Sequence, residues 1–340
     1  MERLRALSLW VTALLALLAL ALLLAGCEDG KPGGAPLPLS IAVVAQPVAA
    51  LVHVADEKGF FREEGVEVAL SAFDLGRDAL DNALAGGADL ATVYDLPVAR
   101  QLNAGEDLAI LATLHRSVSG HAVLARRERG IARPEDLRGK RIGVTKGIST
   151  DYFLALFLTS HGLPQAAVKE VPLEPADYAQ ALAGGAIDAL VTFNPHTYKL
   201  RDALGAGEAV LFQSDLYRET SLLAGRRARV AEKREAVLRA LRALVRAEDF
   251  IRDHEEESIR IVAARLAGKF SESAVREGWS AFRAEARLDN LLLTQLIQQV
   301  HWLRENNQRE RALPDFARAL AAEYLAAVRP RAVTVLHGGR

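Results

Sequence analysis

Between residues 39 and 213 the sequence alternates short apolar runs with amphipathic stretches, and it passes through that alternation twice. Residues 39–45, 66–71, 89–93 and 108–114 are too short for helices and read as strands. Residues 48–58, 77–85 and 97–103 carry helical spacing and stop at or near glycine. A strand at 121–125 and a charged turn at 126–129 lead into the second series. It has strands at 141–145, 169–172, 188–193 and 210–213, separated by helices at 152–161, 176–183 and 196–204. Strands alternating with helices predict an α/β fold of mixed, mostly parallel sheets with helices on both faces. After a last strand at 222–224 the chain turns helical from 230 to about 328, where Val237, Leu241, Leu244 and Val245 mark one buried stripe.

An internal repeat ties the two series together. Ala83-Leu84-Ala85-Gly86-Gly87-Ala88-Asp89 is echoed by Ala181-Leu182-Ala183-Gly184-Gly185-Ala186-Ile187-Asp188, each between a helix and an apolar strand. The strands then end on an aromatic and a short polar residue, Tyr94-Asp95 and Phe193-Asn194, with Pro97 and Pro195 following. Two similar lobes are expected, each offering that pair at the C-terminal edge of a strand, where open α/β sheets bind ligands.

The 340 residues suffice for two globular units. Lys plus Arg number 42 against 43 Asp plus Glu, a balance that offers no footprint for nucleic acid. A single cysteine, Cys27, excludes an internal disulfide, a CxxC redox pair and a thiolate metal site. HExxH, DxDxDG, GxSxG and phosphate-loop patterns are missing from the sequence. No metal or other cofactor is therefore expected, and serine hydrolysis and nucleotide binding are disfavoured. Residues 1–27 read as an export signal, with Arg3 and Arg5 before an apolar run at 9–24 and Ala25-Gly26 after it. Residues 28–38, rich in Gly and Pro, read as a flexible tether. The ending Leu24-Ala25-Gly26-Cys27 resembles the bacterial lipobox. That implies cleavage before Cys27 and a lipid anchor on its sulfur; an uncleaved anchor helix is the alternative.

Three further segments carry a family resemblance. The stretch His53-Val54-Ala55-Asp56-Glu57-Lys58-Gly59-Phe60-Phe61-Arg62-Glu63-Glu64-Gly65-Val66 resembles the opening signature of the NMT1/THI5-like solute-binding proteins for nitrate, sulfonates, taurine and pyrimidine precursors. Pro134-Glu135-Asp136-Leu137-Arg138-Gly139-Lys140-Arg141-Ile142-Gly143-Val144 resembles their second-lobe signature, and Arg329-Pro330-Arg331-Ala332-Val333 their closing segment. The resemblance implies a two-lobe, type II periplasmic binding protein fold with two crossings, expected near 121–125 and 220–224. Lobe 1 would hold 39–120 and 222–333, and lobe 2 would hold 121–221. It also implies a monomeric receptor that closes on a small polar organic solute and delivers it to an ABC permease. Two other uses are open: a sensory lipoprotein serving a receptor or kinase, and an enzyme of the pyrimidine-synthase type. The cysteine-rich motif of that enzyme branch is missing here.

Candidate ligand contacts follow. Gly147-Ile148-Ser149-Thr150 stands where the family has its ligand loop, so Ile148, Ser149 and Thr150 are candidates; either hydroxyl could instead cap the helix it opens. Tyr94 and Asp95 are the lobe-1 pair, Asp95 being either an N-cap or an acceptor for a ligand N–H. Phe193 and Asn194 mirror them. Gln46 follows the first strand. Arg116 and Ser117 follow the strand expected to end at Leu114, with Arg116 either an anion clamp or a solvated charge.

Overall fold

Each series of strands and helices builds its own sheet. The computed structural model describes residues 35–205, 207–279, 281–307 and 312–335; the expected signal, Cys27 and tether residues 28–34 lie outside them. In the first series β1 (Leu37–Val44), α1 (Ala50–Glu57), α2 (Phe60–Glu63), β2 (Val66–Phe73), α3 (Gly76–Leu84), β3 (Leu90–Tyr94), α4 (Asp95–Ala104) and β4 (Leu108–Ser117) follow in order. The second comprises β5 (His121–Arg126), β6 (Arg141–Val144), α5 (Ser149–Ser160), β7 (Lys169–Pro172), α6 (Tyr178–Ala183), β8 (Ala189–Phe193), α7 (His196–Leu204) and β9 (Ala209–Gln213). The chain then returns through β10 (Glu219–Arg226), α8 (Arg227–Glu232), α9 (Arg234–Asp253), α10 (Glu255–Arg265) and α11 (Glu272–Trp279). It ends through β11 (Arg283–Ala284), β12 (Leu288–Asp289), α12 (Asn290–Asn307), α13 (Phe316–Ala319), α14 (Ala322–Val328) and β13 (Val333–Thr334).

The six-stranded sheet has the order β11-β4-β10-β3-β1-β2 and the five-stranded sheet β7-β6-β8-β5-β9. Strands of the βαβ units run parallel, β1 with β2 and β3, and β6 with β7 and β8. The strands flanking the passages between sheets run antiparallel, β10 against β3 and β4, and β5 against β8 and β9. The passages are residues 118–120 and 214–218, each a few residues ahead of the expected crossing. The stretches expected to cross, 121–125 and 220–224, are strands inside one sheet or the other. Likewise residues 37–38, expected in the tether, are already paired in β1. The expected all-helical C-terminal part is interrupted by β11, which extends the edge of β4, and by β12, which pairs with β13.

The repeat has a structural meaning. Asp89, just before β3, accepts from the backbone N–H of Ser40 in β1 at 2.8 Å. Asp188, just before β8, accepts from that of Arg141 in β6 at 2.9 Å. In each lobe the aspartate therefore pins the central strand to its parallel neighbour. Gly86 and Gly185 take φ of 88° and 72°, which side chains with a Cβ avoid, and so let the chain turn from helix into that aspartate. Tyr94 and Phe193 come out at corresponding C-terminal edges. The return helix α9 buries Val237, Ala240, Leu241, Leu244 and Ala247 as one stripe. Truncating Leu241, fully buried, is worth about 2–5 kcal/mol.

Candidate functional site

The edges of β3 and β8 meet across the gap between the sheets. Gln46 after β1, Tyr94 at the end of β3, Ile148 and Ser149 at the start of α5, and Phe193 at the end of β8 line one small pocket together with Leu75, Gly76, Arg77 and Pro97. Five of the ten candidates are thus brought together, from both lobes. The pocket's free volume is about 10 Å³, roughly the room of one water. Gln46 Nε2 donates to the carbonyl of Asp74 at 3.1 Å, while its buried Oε1 has no donor.

Ser117 and Asn194 line a second pocket with Pro47, Val48, His115, Gly120, Pro195, Glu219, Val275, Trp279 and Phe282. His121 separates the two pockets. Its Nε2 lies 2.8 Å from Ser149 Oγ, and its Nδ1 lies 2.9 Å from Glu219 Oε2. His121 opens β5 and Glu219 opens β10, so both stand at the mouths of the two passages between lobes. Burial pushes the Glu219 carboxyl up, but the charges and hydrogen bonds of His121 and His115 outweigh it and hold the pKa at about 2.

The remaining candidates sit elsewhere. Thr150 is fully buried and donates to the carbonyl of Thr145 at 2.9 Å, so its hydroxyl closes the loop rather than facing a pocket. Asp95 is also fully buried. It accepts from Tyr217 Oη at 2.5 Å, from the Leu96 N–H at 2.8 Å and from Gln295 Nε2. Burial lifts its pKa to about 7, with Glu219 adding to the shift. Asp95 thus fastens the second passage, through Tyr217, to the start of α4. Arg116 is turned away: its guanidinium grips Asp289 through bonds of 2.7 and 2.9 Å and lies 3.2 Å from Glu285. β4 runs to Ser117, and side chains alternate along a strand, so His115 and Ser117 face the pocket and Arg116 the opposite side. Neither an anion clamp nor a solvated charge, it anchors the β11–β12 segment to the sheet. His115, His121, Tyr217, Glu219 and Gln295 are the site residues that the sequence pattern did not single out for ligand contact.

The lobes touch through polar contacts at the rim. Arg77 Nη2 donates to Glu174 Oε1 at 2.8 Å and Arg77 Nη1 to the carbonyl of Lys146 at 3.1 Å. Arg100 donates to the carbonyl of Gly147 at 3.2 Å, and Arg201 pairs with Glu277 at 2.8 Å. These side chains are a quarter to a half exposed where the ion pairs form. Each such pair contributes about 0–1 kcal/mol, so the latch is soft. Among the described residues no helix is long and apolar enough to cross a membrane, and no cluster of His, Cys, Asp or Glu could hold a metal ion.

Comparison with known proteins adds four findings. The model of the NMT1/THI5-like proteins matches residues 46–258. A Bacillus subtilis protein named for binding aliphatic sulfonates is 28% identical over 254 residues, covering 72% of this chain and 75% of that one. Among solved structures, the periplasmic aliphatic sulphonate binding protein SsuA of Escherichia coli superposes with a TM-score of 0.71 at 19% identity, over 84% of this chain and 98% of that one. The desulfurization enzyme DszB does so with 0.64 at 20% identity, over 87% and 99%. At these identities the superpositions establish the two-lobe periplasmic binding protein fold alone.

Proposed function

This chain belongs to the NMT1/THI5-like family, and from that premise we propose that it is an exported solute receptor that closes its two lobes on a small polar organic solute and presents it to an ABC importer. The observation that carries the reading is the first pocket. Gln46, Tyr94, Ser149 and Phe193 converge there from corresponding strand and helix ends of both lobes. The soft rim latch supports it, because a receptor must open again when it docks. Sulfonates, taurine and pyrimidine precursors are the solute classes in view. In this reading the chain is a receptor and not an enzyme, although DszB demonstrates that the fold also hosts catalysis. It acts as a monomer held at the membrane by lipid on Cys27, facing the periplasm or the cell exterior. Mass spectrometry of molecules released from the purified chain on denaturation, followed by a thermal-shift titration with each, tests the proposal. A released solute that raises the melting temperature supports it. A chain that releases nothing and is stabilised by no sulfonate, amine or pyrimidine refutes it.

A further inference from the structure

Three residues at the mouths of the passages form a chain for which solute binding has no use. Ser149 Oγ lies 2.8 Å from His121 Nε2, and His121 Nδ1 lies 2.9 Å from Glu219 Oε2. A carboxylate only accepts, so it draws the imidazole proton to Nδ1 and leaves Nε2 as the acceptor for the Ser149 hydroxyl. His115 Nε2, 3.5 Å from the other carboxylate oxygen, helps to keep Glu219 ionised. The His121–Glu219 contact is at ion-pair distance but off the line of a hydrogen bond. Contacts of this kind often tighten only when a reactant is bound. Ser149, His121 and Glu219 are 2%, 3% and 4% exposed. The rings of Phe153, Tyr217 and Phe193 surround the imidazole, with centroids 5.5, 5.1 and 6.3 Å away.

Serine, imidazole and carboxylate in that order are the parts of an activated nucleophile. Such a set is recognised by geometry and does not need the GxSxG pattern that the sequence lacks. Ser149 is also the first residue of α5, which runs for 12 residues. The leading N–H groups of a helix lack helical acceptors, and the helix dipole there favours a developing negative charge. The acid in that first turn, Asp151, is occupied by Lys146 Nζ at 2.7 Å and the Gly147 N–H at 3.1 Å. Ser149 lines the first pocket, between the lobes. We infer that Ser149 is a covalent modification site, acylated by small activated carboxylic esters that enter between the lobes. Its Oγ attacks the carbonyl carbon while its proton passes to His121 Nε2. The C–O bond to the leaving alcohol then breaks and the imidazole hands that alcohol the proton, which leaves acyl-Ser149 and free alcohol. The free volume around the serine is about 10 Å³, roughly one water. The acyl group fills it and shuts out the water that would hydrolyse the new ester, so the event is a single modification and not turnover. The inference goes beyond the receptor reading and does not depend on it.

The probe is p-nitrophenyl acetate, with nitrophenolate followed by absorbance and acetylated serines mapped by mass spectrometry. The wild-type chain should release a burst of one nitrophenolate per chain. Ser149 should be acetylated about a hundredfold faster than the exposed Ser271 and Ser273. Ser149→Ala should abolish the burst. His121→Asn should slow it about a hundredfold, and Glu219→Gln about tenfold or more. Should a variant fail to fold, the wild type alone decides the matter: unfolding it in urea should bring Ser149 down to the rate of Ser271. Acetylation of Ser149 no faster than that of the exposed serines overturns the inference, as does a rate that survives His121→Asn in a folded chain or urea in the wild type. Continuous release that needs Ser149 overturns the single modification and makes the site a hydrolase.

Discussion

Replacing Asp95 by Asn separates a buried charge from the hydrogen bonds around it. In the native chain burial lifts this carboxyl from 3.8 to about 7, whereas in the unfolded chain it ionises near its ordinary value. Between those two pH values the native state holds the proton and the unfolded state does not, so this group makes stability fall as pH rises. Integrating from pH 5 to pH 8 with these two values, the cost to the wild type grows by about 2–3 kcal/mol. Asn cannot ionise, so the stability difference, variant minus wild type, should rise by that amount over the same range. The absolute curves will not display it cleanly. His53 and His196 are held near 4 by burial, and such groups make stability rise with pH up to about 6.5. Both chains share that contribution and it cancels in the difference. At pH 5 both native side chains are neutral, so the offset there combines how well the amide fits Tyr217 and Gln295 with the ionisation that the unfolded wild type has already undergone, about 1–2 kcal/mol. Urea denaturation of both chains at pH 5, 6, 7 and 8 makes the measurement. A difference constant within about 0.5 kcal/mol from pH 5 to pH 8 would refute the reasoning, because Asp95 would then be ionised throughout. Solute affinity at pH 7 should change less than threefold, since Asp95 lies behind the pocket wall.

Arg116→Ala should cost about 3–5 kcal/mol of stability by stranding Asp289 and Glu285, with solute affinity unchanged in the folded fraction; calorimetry and titration read the two separately. Ser149→Ala removes one polar contact from the first pocket and should weaken the released solute by about tenfold; because it also leaves the buried His121 Nε2 without its partner, the free chain should lose about 1–3 kcal/mol of stability, so affinity is read by titration of the folded fraction. Cys27→Ala should leave an unprocessed precursor that takes up no labelled fatty acid in cells, and normal labelling of that variant would remove the lipid anchor from the account.

What the sequence disclosed was local. The repeat around Gly86-Gly87 and Gly184-Gly185 was visible because helix, turn, aspartate and strand are contiguous, and it led to Tyr94 and Phe193 by the rule that ligands bind at strand C-termini; Gln46 and Ser149 were reached through the family resemblance. Arg116 was misjudged by one structural fact: β4 continues past Leu114 to Ser117, and a strand's alternation then turns position 116 away from the cleft. Thr150 and Asp95 carry the right chemistry at the right helix starts, but their partners Thr145 and Tyr217 consume it. Glu219, Tyr217, His115 and Gln295 gave no signal because what gathers them is the double passage of the chain between lobes, which brings Gln295 to Asp95 across 200 positions. The two-residue strands β11 and β12 are too short to carry a period, and only their pairing with β4 and β13 defines them.

The central claim is that two lobes close on a solute, and small-angle scattering of the mature chain tests it most directly. The solute released on denaturation, added back to saturation as judged by calorimetry, should lower the radius of gyration of the emptied chain. It should also raise the melting free energy by RT ln(1 + [L]/Kd), about 2.7 kcal/mol at a hundredfold excess over Kd. Saturating binding with an unchanged radius of gyration would contradict closure, and with it the account of the latch and the pockets between the lobes.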